Sequence, residues 1–351
     1  MVQTSDAVII GGGVIGLSLA LELRRAGMSV TVLEKHQPGR EASWAAGGMI
    51  AYCEAGPHPL LQQLAKTSSQ MYPAFVHVLQ DESGINVDLR SDGTIRFLDD
   101  PQHDVAEEGK AISADSLCKL EPELTYSAVA RLLPEFCVDP RLLMDALLKA
   151  ALHLGVHVAS GADVTHLQIE HGTAVAAITT KTRYVSKIIV NCAGAWSGQF
   201  SPVPVPTLPI KGQMLALVPD RHQLIRHVIR GNGVYIIPRG DGRIVIGATV
   251  EDAGFDKRVD PDTIQRMHQA AAILVPALGQ ARIHQDWAGL RPCTPDKLPI
   301  MGNTSLAGYF VATGHYRDGI MLAPISARLM AQFILGNRPD FNFDAFSPTR
   351  F

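Results

Sequence analysis

The glycines near the start of the chain have the spacing of a phosphate-binding turn. Gly11, Gly13 and Gly16 form G-x-G-x-x-G between a short apolar run and a segment with helical apolar periodicity. The first glycine permits a tight turn, the second lets backbone amides approach a pyrophosphate, and the third lets helix and strand pack closely. Glu34 follows the last glycine by 18 residues, and its carboxylate can accept hydrogen bonds from ribose hydroxyls. The pattern predicts a dinucleotide site, and the alternative is a glycine-rich turn without a ligand.

The elements that must position this turn are predicted from the apolar periodicity. Residues 8–10 and 29–33 are typical of buried strands, and residues 14–26 of a helix that Gly27 ends. Elsewhere the pattern predicts helices at 58–84, 140–154 and 323–335, strands at 156–158, 184–190 and 309–314, and a hairpin of 87–89 with 94–97 around an Asp-Gly turn.

The middle of the chain has a different character from its ends. Residues 211–218, 234–237 and 243–247 are typical of antiparallel strands, and Asp241-Gly242 predicts a turn between the last two. We therefore expect an α/β fold, with a discontinuous Rossmann-like domain that an antiparallel-sheet domain interrupts twice. The predicted nucleotide-binding domain comprises 1–50, 137–204 and 298–351, and the predicted substrate domain comprises 51–136 and 205–297.

Composition excludes several classes of protein. The 351 residues include 46% hydrophobic and 19% charged residues, and the net charge of −3 gives no sign of a nucleic-acid partner. Five widely spaced cysteines without C-x-x-C indicate neither a zinc site nor a disulfide framework, so no metal is expected and a reducing cytoplasm fits. The first apolar run is cut by three glycines, which argues against a signal peptide. No apolar segment is long enough to span a bilayer, and so no integral membrane segment is expected.

Several motifs together resemble the D-amino-acid oxidase superfamily, and within it the glycine oxidase family of thiamine biosynthesis. They are the opening fingerprint, the small-residue segment 40–49, the sequence NCAGAWS at 191–197, WAGLRPCTPD at 287–296 and ATGHYRDGI at 312–320. The resemblance covers nearly the whole chain. It implies a flavoenzyme whose cofactor is FAD.

The resemblance also implies where FAD would bind. Small residues at 45–48 would let the flavin ring lie against backbone, and the 312–320 segment would place backbone amides at a helix N-terminus, where negative charge is stabilised. The expected cofactor-binding residues are Gly11, Gly13, Val14, Ile15, Gly16, Glu34, Lys35, Ala42, Ser43, Gly47, Gly48, Met49, Val164, His315, Tyr316, Arg317, Asp318, Gly319, Ile320 and Met321.

An amino-acid substrate needs a cation for its carboxylate, and arginine offers a planar two-pronged donor. The resemblance matches Arg291 to this role, with Arg317 as a second candidate and Tyr235 as the phenol that contacts the carboxylate. A surface arginine and a buried sheet tyrosine are the alternatives. The segment before Tyr235 is Gly-Asn-Gly-Val and offers no acid–base side chain, so we expect catalysis by positioning without an essential general base.

The implied reaction is oxidation of an α-amine such as glycine, sarcosine or a small D-amino acid. A hydride passes from the substrate carbon to flavin, water hydrolyses the imine to an oxo acid and ammonia, and dioxygen regenerates the flavin and yields hydrogen peroxide. Related sarcosine oxidases attach FAD through a cysteine several residues before T-P-D. Here Cys293 directly precedes Thr294-Pro295-Asp296, so we expect noncovalent FAD.

Three other interpretations stay open. A membrane-linked D-amino-acid or glycine dehydrogenase would pass electrons to a quinone-type acceptor, although no basic amphipathic helix is evident. An NAD-dependent dehydrogenase or a noncatalytic nucleotide-binding module would share the opening fingerprint. The sequence determines neither the preferred amine nor the oligomeric state, and a homo-oligomer stays open.

Overall fold

The structure is a computed structural model that describes residues 1–54, 56, 58–97, 108–125 and 129–351. Parts of the predicted segment 51–136 therefore lie outside the described residues. The strands are β1 (Val2–Thr4), β2 (Ala7–Ile10), β3 (Val30–Glu34), β4 (Met49–Ile50), β5 (Thr94–Phe97), β6 (Lys110–Ile112), β7 (Ala130–Leu133), β8 (Phe136–Cys137), β9 (His157–Ser160), β10 (Val164–Glu170), β11 (Thr173–Thr179), β12 (Arg183–Val185), β13 (Ile188–Asn191), β14 (Leu208–Val218), β15 (Val228–Gly231), β16 (Val234–Pro238), β17 (Ile244–Gly247), β18 (Arg282–Cys293), β19 (Ile300–Asn303) and β20 (Tyr309–Thr313). The helices are α1 (Val14–Arg25), α2 (Ala42–Ala45), α3 (Pro59–Ser83), α4 (Ala114–Leu120), α5 (Pro140–His153), α6 (Pro261–Leu274) and α7 (Gly319–Ile334).

A six-stranded sheet carries the opening fingerprint. Its order is β19-β20-β13-β2-β3-β9, and every neighbouring pair is parallel except β19 with β20. Strand β2 is buried on both faces: Ala7 and Ile9 face the core beneath the helices, whereas Val8 and Ile10 face the second layer. Helices α1, α3, α5 and α7 cover one face, and the small sheet β1-β12-β11-β10 covers the other. This sandwich holds the β2–α1 turn at the carboxyl end of the sheet.

An eight-stranded sheet forms the second major layer. Its order is β18-β14-β17-β16-β15-β5-β7-β6, and its pairs are antiparallel apart from β15 with β5. Alternate side chains of each strand point to opposite faces of this sheet. Leu215 and Leu217 pack into the core that α6 covers, whereas Met214 and Ala216 face Ala45 of the first layer. The strands of this sheet come from 94–133 and 208–293, and the predicted domain boundaries stay a prediction.

The mixed α/β architecture with separate sheets confirms the expected fold class, but three local predictions were wrong. Residues 87–89 form no strand, because β5 pairs with the distant β15 and β7 rather than with its chain neighbour. The predicted strand 184–190 is two strands in different sheets, β12 and β13, and between them the Ser186 hydroxyl donates to the backbone carbonyl of Asp6. Helix α7 begins at Gly319, four residues before the predicted start. Within the described residues, no helix is both long and apolar enough to cross a membrane.

Candidate cofactor and substrate site

One large cavity lies between the six-stranded and eight-stranded sheets, with a volume of about 1230 Å³. This exceeds the ~300–1,000 Å³ of ordinary small-molecule sites and leaves room for a dinucleotide and a small substrate. All of the expected site residues line it except Gly16 and Met321. The lining set is Gly11, Gly13, Val14, Ile15, Glu34, Lys35, Ala42, Ser43, Gly47, Gly48, Met49, Val164, Tyr235, Arg291, His315, Tyr316, Arg317, Asp318, Gly319 and Ile320.

The glycine turn at the end of β2 is too tight for side chains. Gly11 has a φ of +111°, and a Cβ there would lie 2.4 Å from the carbonyl oxygen of Cys192. A Cβ at Gly16 would lie 2.0 Å from the carbonyl oxygen of Gly11, so Gly16 packs helix α1 against the turn and does not face the cavity. Gly13 is the N-cap of α1 and lines the cavity. The N-terminus of α1 therefore lies at the cavity wall, where its positive dipole end suits a pyrophosphate.

Side chains at the nucleotide end hold this turn. The Glu34 carboxylate accepts hydrogen bonds from the backbone amides of Gly12 (2.9 Å) and His36 (3.0 Å). It therefore shapes the turn itself, and its remaining lone pairs face the cavity. The Ser43 hydroxyl accepts from the amide of Val14 at 3.0 Å and so ties α2 to the start of α1. Lys35 is paired with Asp163 at 3.3 Å on the rim.

The small-residue segment forms the next wall of the cavity. Gly48 has a φ of +79°, and a Cβ there would lie 1.9 Å from the carbonyl oxygen of Val138. The buried Arg239 donates to the carbonyl oxygens of Gly47 (2.7 Å) and Val138 (3.0 Å), and the Trp287 indole donates to that of Ala45 (3.1 Å). The segment is therefore held by its backbone, which leaves its small side chains free to face a planar ring.

The β20–α7 corner faces this segment. Pro324 lies inside α7 and has no N–H, so the carbonyl of Ile320 lacks its helical donor, and the Tyr72 hydroxyl supplies one at 2.6 Å. Ser68 likewise donates to the carbonyl of Met321 at 2.6 Å. The Met321 side chain packs in the core beneath the helices and does not line the cavity, whereas Gly319 and Ile320 do. A contact between Met321 and FAD therefore stays a prediction.

The titratable groups of this corner are shifted by burial. Burial lowers the pKa of His315 to about 3, and its Nε2 lies 3.0 Å from the Ser326 hydroxyl, so the imidazole is neutral. Burial raises the pKa of the Asp318 carboxyl to about 6, although the neighbouring Arg317 opposes the shift. Asp318 is the N-cap of α7 but makes no capping hydrogen bond with its side chain. Asp318 is among the residues that line the cavity.

Arg291 and Tyr235 form the substrate end of the cavity. Arg291 lies near the end of β18, and its Nη1 donates to the carbonyl oxygens of Thr249 (2.9 Å) and Lys211 (3.4 Å). Among the described residues no carboxylate forms an ion pair with it, so the guanidinium keeps its charge available. Burial raises the pKa of the Tyr235 phenol, and Arg291 and Arg317 oppose that shift. The phenol is therefore un-ionised and able to donate a hydrogen bond.

Glycines beneath these two side chains were missed by sequence reasoning. A Cβ at Gly212 would lie 2.3 Å from Arg291 Nη2, and a Cβ at Gly247 would lie 2.5 Å from the Tyr235 ring. A glycine inside a strand often marks the close approach of another group, so the sequence did contain a signal at both positions. The partner of each glycine is set by sheet register, which no local pattern shows. Arg239, which holds the small-residue segment, carried no such signal.

The residues present fit FAD. The glycine turn leaves amides and a helix N-terminus for a pyrophosphate, and the acid that follows it excludes a 2′-phosphate. A Cβ at Gly11 would collide with the carbonyl oxygen of Cys192 and one at Gly48 with that of Val138, so the cavity wall needs glycine at both positions. The corner at Gly319 offers a second helix N-terminus on the opposite wall.

Comparisons with known proteins agree with this geometry. A family model described as DAO, FAD dependent oxidoreductase, matches residues 6–333. The chain is 36% identical to the bifunctional protein ThiO/ThiG of Trichormus variabilis over 99% of its own length and 55% of that protein, so it spans about half of that relative. It is 32% identical to the glycine oxidase of Pseudomonas aeruginosa, with 99% of both chains covered. The crystal structure of glycine oxidase from Geobacillus kaustophilus superposes with a TM-score of 0.93 at 28% identity over 99% of each chain.

These matches confirm the resemblance read from the motifs and support flavin-dependent amine oxidation. They also confirm FAD as the cofactor class, since the matched family is defined by it. The chain belongs to the DAO family of FAD-dependent oxidoreductases, with relatives named glycine oxidase and ThiO.

Proposed function

We propose that this protein oxidises glycine and related small amines, such as sarcosine and small D-amino acids, to an oxo acid, hydrogen peroxide and ammonia, with methylamine in place of ammonia for sarcosine. The observation that carries the proposal is Arg291, a charged side chain without a carboxylate partner among the described residues, in the same cavity as the glycine turn. A guanidinium in that position suits a substrate carboxylate. The relatives named glycine oxidase support the same substrate class.

The cofactor would occupy the cavity along its length. We place the pyrophosphate at Gly11 and Gly13, the adenosine ribose at Glu34 and the adenine beside the backbone of Val164. The flavin ring would lie between the small-residue segment 42–49 and the 315–320 corner. When bound, FAD supplies a two-electron acceptor for the hydride that leaves the substrate.

The protein's own part in the reaction is to bind and orient the amine. Arg291 would pair with the substrate carboxylate, the Tyr235 hydroxyl would donate to it, and Arg317 would add a second positive charge. His315 is a poor base, because burial lowers its pKa to about 3. Because the substrate carbon loses a hydride, no carbon-bound proton needs a side-chain base.

We propose that FAD is held noncovalently. The Cys293 thiol donates to the carbonyl of Thr294 at 3.4 Å, and Cys293 does not line the cavity although Pro292 does. Burial also raises the pKa of this thiol and so disfavours the reactive thiolate. Trichloroacetic acid precipitation should leave the flavin in the supernatant. Yellow colour in the pellet would contradict the proposal.

We propose that the imine supplies thiazole synthesis in the thiamine pathway, in a reducing compartment such as the cytoplasm. The relatives named ThiO/ThiG support the pathway, and the five free cysteines support the compartment. A strain that lacks its own glycine-oxidising enzyme for thiazole synthesis should grow without added thiazole when this protein is expressed. A strain that still requires thiazole, while the purified protein oxidises glycine, would contradict the physiological role alone.

The decisive experiment is a visible spectrum followed by anaerobic reduction. The purified protein should show the absorbance of oxidised flavin, and glycine, sarcosine, D-alanine and D-proline should bleach it to different extents. Under air, one molecule of hydrogen peroxide should form for each molecule of amine oxidised.

Each alternative predicts a different result from this experiment. A membrane-linked dehydrogenase would bleach but yield little peroxide without a quinone, and a noncatalytic module would keep its colour with every amine. A colourless protein that binds NAD would overturn both the cofactor and the reaction. The relatives named glycine oxidase favour the oxidase over the dehydrogenase.

A further inference from the structure

A side-chain stack behind the cavity joins three elements that carry different parts of the site. The Arg141 guanidinium, on α5, lies 3.6 Å from the ring centre of Trp44 and 4.4 Å from that of Trp287. The two indoles meet edge to face with their centres 6.0 Å apart. Trp44 belongs to α2, on the cofactor side, and Trp287 belongs to β18, on the substrate side.

Each indole is directly connected to a functional part of the cavity. Trp44 lies between Ser43, whose hydroxyl ties α2 to the start of α1, and Ala45, whose carbonyl accepts the Trp287 indole N–H. Trp287 shares one face of β18 with Gly289 and Arg291, because side chains two residues apart point the same way. A Cβ at Gly289 would lie 2.5 Å from the Cβ of Ala45, so the two walls touch at this point. A shift of Trp287 relative to Trp44 would therefore move Arg291 relative to the small-residue segment.

The guanidinium lies close to both indole rings and makes few hydrogen bonds. Its Nη1 donates to the side-chain oxygen of Gln285 at 2.9 Å, whereas its buried Nη2 has no hydrogen-bond partner. Burial and the positive charge of Arg243 lower the pKa of Arg141 to about 10, yet the group stays charged at neutral pH. A cation close to two aromatic rings gains attraction from each of them. Lysine would keep the charge but lose the forked guanidinium that also donates to Gln285.

On the placement of FAD and substrate proposed above, we propose that Arg141 is a positioning residue that sets the distance between the cofactor wall and the substrate-binding strand. It touches neither ligand. It acts through Trp44 on the small-residue segment and through Trp287 on the strand that carries Arg291.

The test compares three variants of the full-length protein. Arg141→Met removes the charge and the plane, and Arg141→Lys keeps only the charge. Arg40→Met is the matched control, because Arg40 is exposed and lies 5.8 Å above the same Trp44 ring without bridging to Trp287. The measurements are the FAD dissociation constant of the apoprotein, the dissociation constant of acetate from the FAD-loaded protein by flavin absorbance, and the near-ultraviolet circular dichroism of the tryptophans.

Both Arg141 variants should weaken FAD and acetate by about tenfold each and diminish the tryptophan signal, since each loses interactions worth about a factor of ten or more. Arg40→Met should stay within about twofold of wild type. If Arg141→Met does not fold, Arg141→Lys decides by itself.

Three results would overturn the proposal. They are Arg141 variants that match Arg40→Met, a change in only one of the two affinities, and full rescue of both affinities by lysine. Wild-type protein that binds FAD but is not reduced by glycine would refute the proposed function. If glycine reduces the wild-type protein but the Arg141 variants match it in both affinities, this inference alone is refuted.

Discussion

At the nucleotide end the cavity wall is the backbone turn of one βαβ unit, braced by the Glu34 and Ser43 side chains, whereas at the substrate end the wall is made of side chains on separate strands. The residues from Gly11 to Glu34 are contiguous in sequence, and their tight contacts involve backbone atoms of the turn. Arg291 and Tyr235 lie on different strands, and each passes over a glycine of a third or fourth strand. The nucleotide end has no room for an added Cβ in its turn. The substrate end depends on the strand surface over which the Arg291 and Tyr235 side chains lie.

The largest effect should come from filling the backbone turn. Gly11→Ala would place a Cβ 2.4 Å from the Cys192 carbonyl at a φ of +111°, so the protein should purify without flavin and bind FAD at least about 100-fold more weakly. Gly27→Ala is the matched control, because Gly27 has a φ of +90° but open space around its Cβ position. The FAD content after gel filtration measures both. Equal flavin content in the two variants would show that backbone strain alone, and not the collision, governs this end.

Removing the Arg291 cation should weaken substrate binding and leave FAD binding intact. Arg291→Ala should raise the KM for glycine by about 100-fold, because a charge-assisted two-pronged contact is lost, and should change the FAD dissociation constant by less than about threefold. Steady-state kinetics and a flavin titration of the same preparation give both numbers. An unchanged KM would assign the carboxylate to another group, with Arg317 as the first to examine.

The 315–320 corner adds a dependence of stability on pH. The pKa of Asp318 is raised to about 6 in the folded protein, above its unfolded value of about 3.8, so its contribution to stability is complete below about pH 4 and is lost as the pH rises through 6. Asp318→Asn should therefore be more stable than wild-type apoprotein by about 2 kcal/mol at pH 8 and equal to it at pH 4. Urea unfolding at the two pH values measures the difference. A pH-independent difference would mean that Asp318 does not titrate in this range.

The smallest of these effects should come from displacing Arg291 without removing it. Gly212→Ala would place a Cβ 2.3 Å from Arg291 Nη2, so the guanidinium must shift, and the KM for glycine should rise by about tenfold with FAD binding unchanged. Gly233→Ala, in the β15–β16 turn with open space around its Cβ position, is the control. A KM in Gly212→Ala equal to that of the control would show that the guanidinium moves without cost and that its position is not set by the strand beneath it.

Prediction from the sequence was accurate at the nucleotide end and less accurate where strands far apart in the chain meet. The β2–α1–β3 unit was predicted to within two residues, because turn, cap and apolar period are all local properties. The hairpin predicted at residues 87–97 was wrong, because β5 pairs with β7 and β15, which lie about 35 and about 130 residues further along the chain. The start of α7 was missed because Pro324 usually marks a first helical turn, and here Tyr72 supplies the hydrogen bond that the proline removes.

The sequence by itself determined the dinucleotide turn, the acid that follows it, the family and the identity of the candidate arginine, since each depends on residue types at short spacing. Only the tertiary structure decided that Met321 faces the core, that Gly212 and Gly247 lie beneath Arg291 and Tyr235, and that Arg141 contacts two indoles. Those facts depend on sheet register and on which layer covers which face. Such contacts join residues far apart in sequence, and packing of the whole chain selects them.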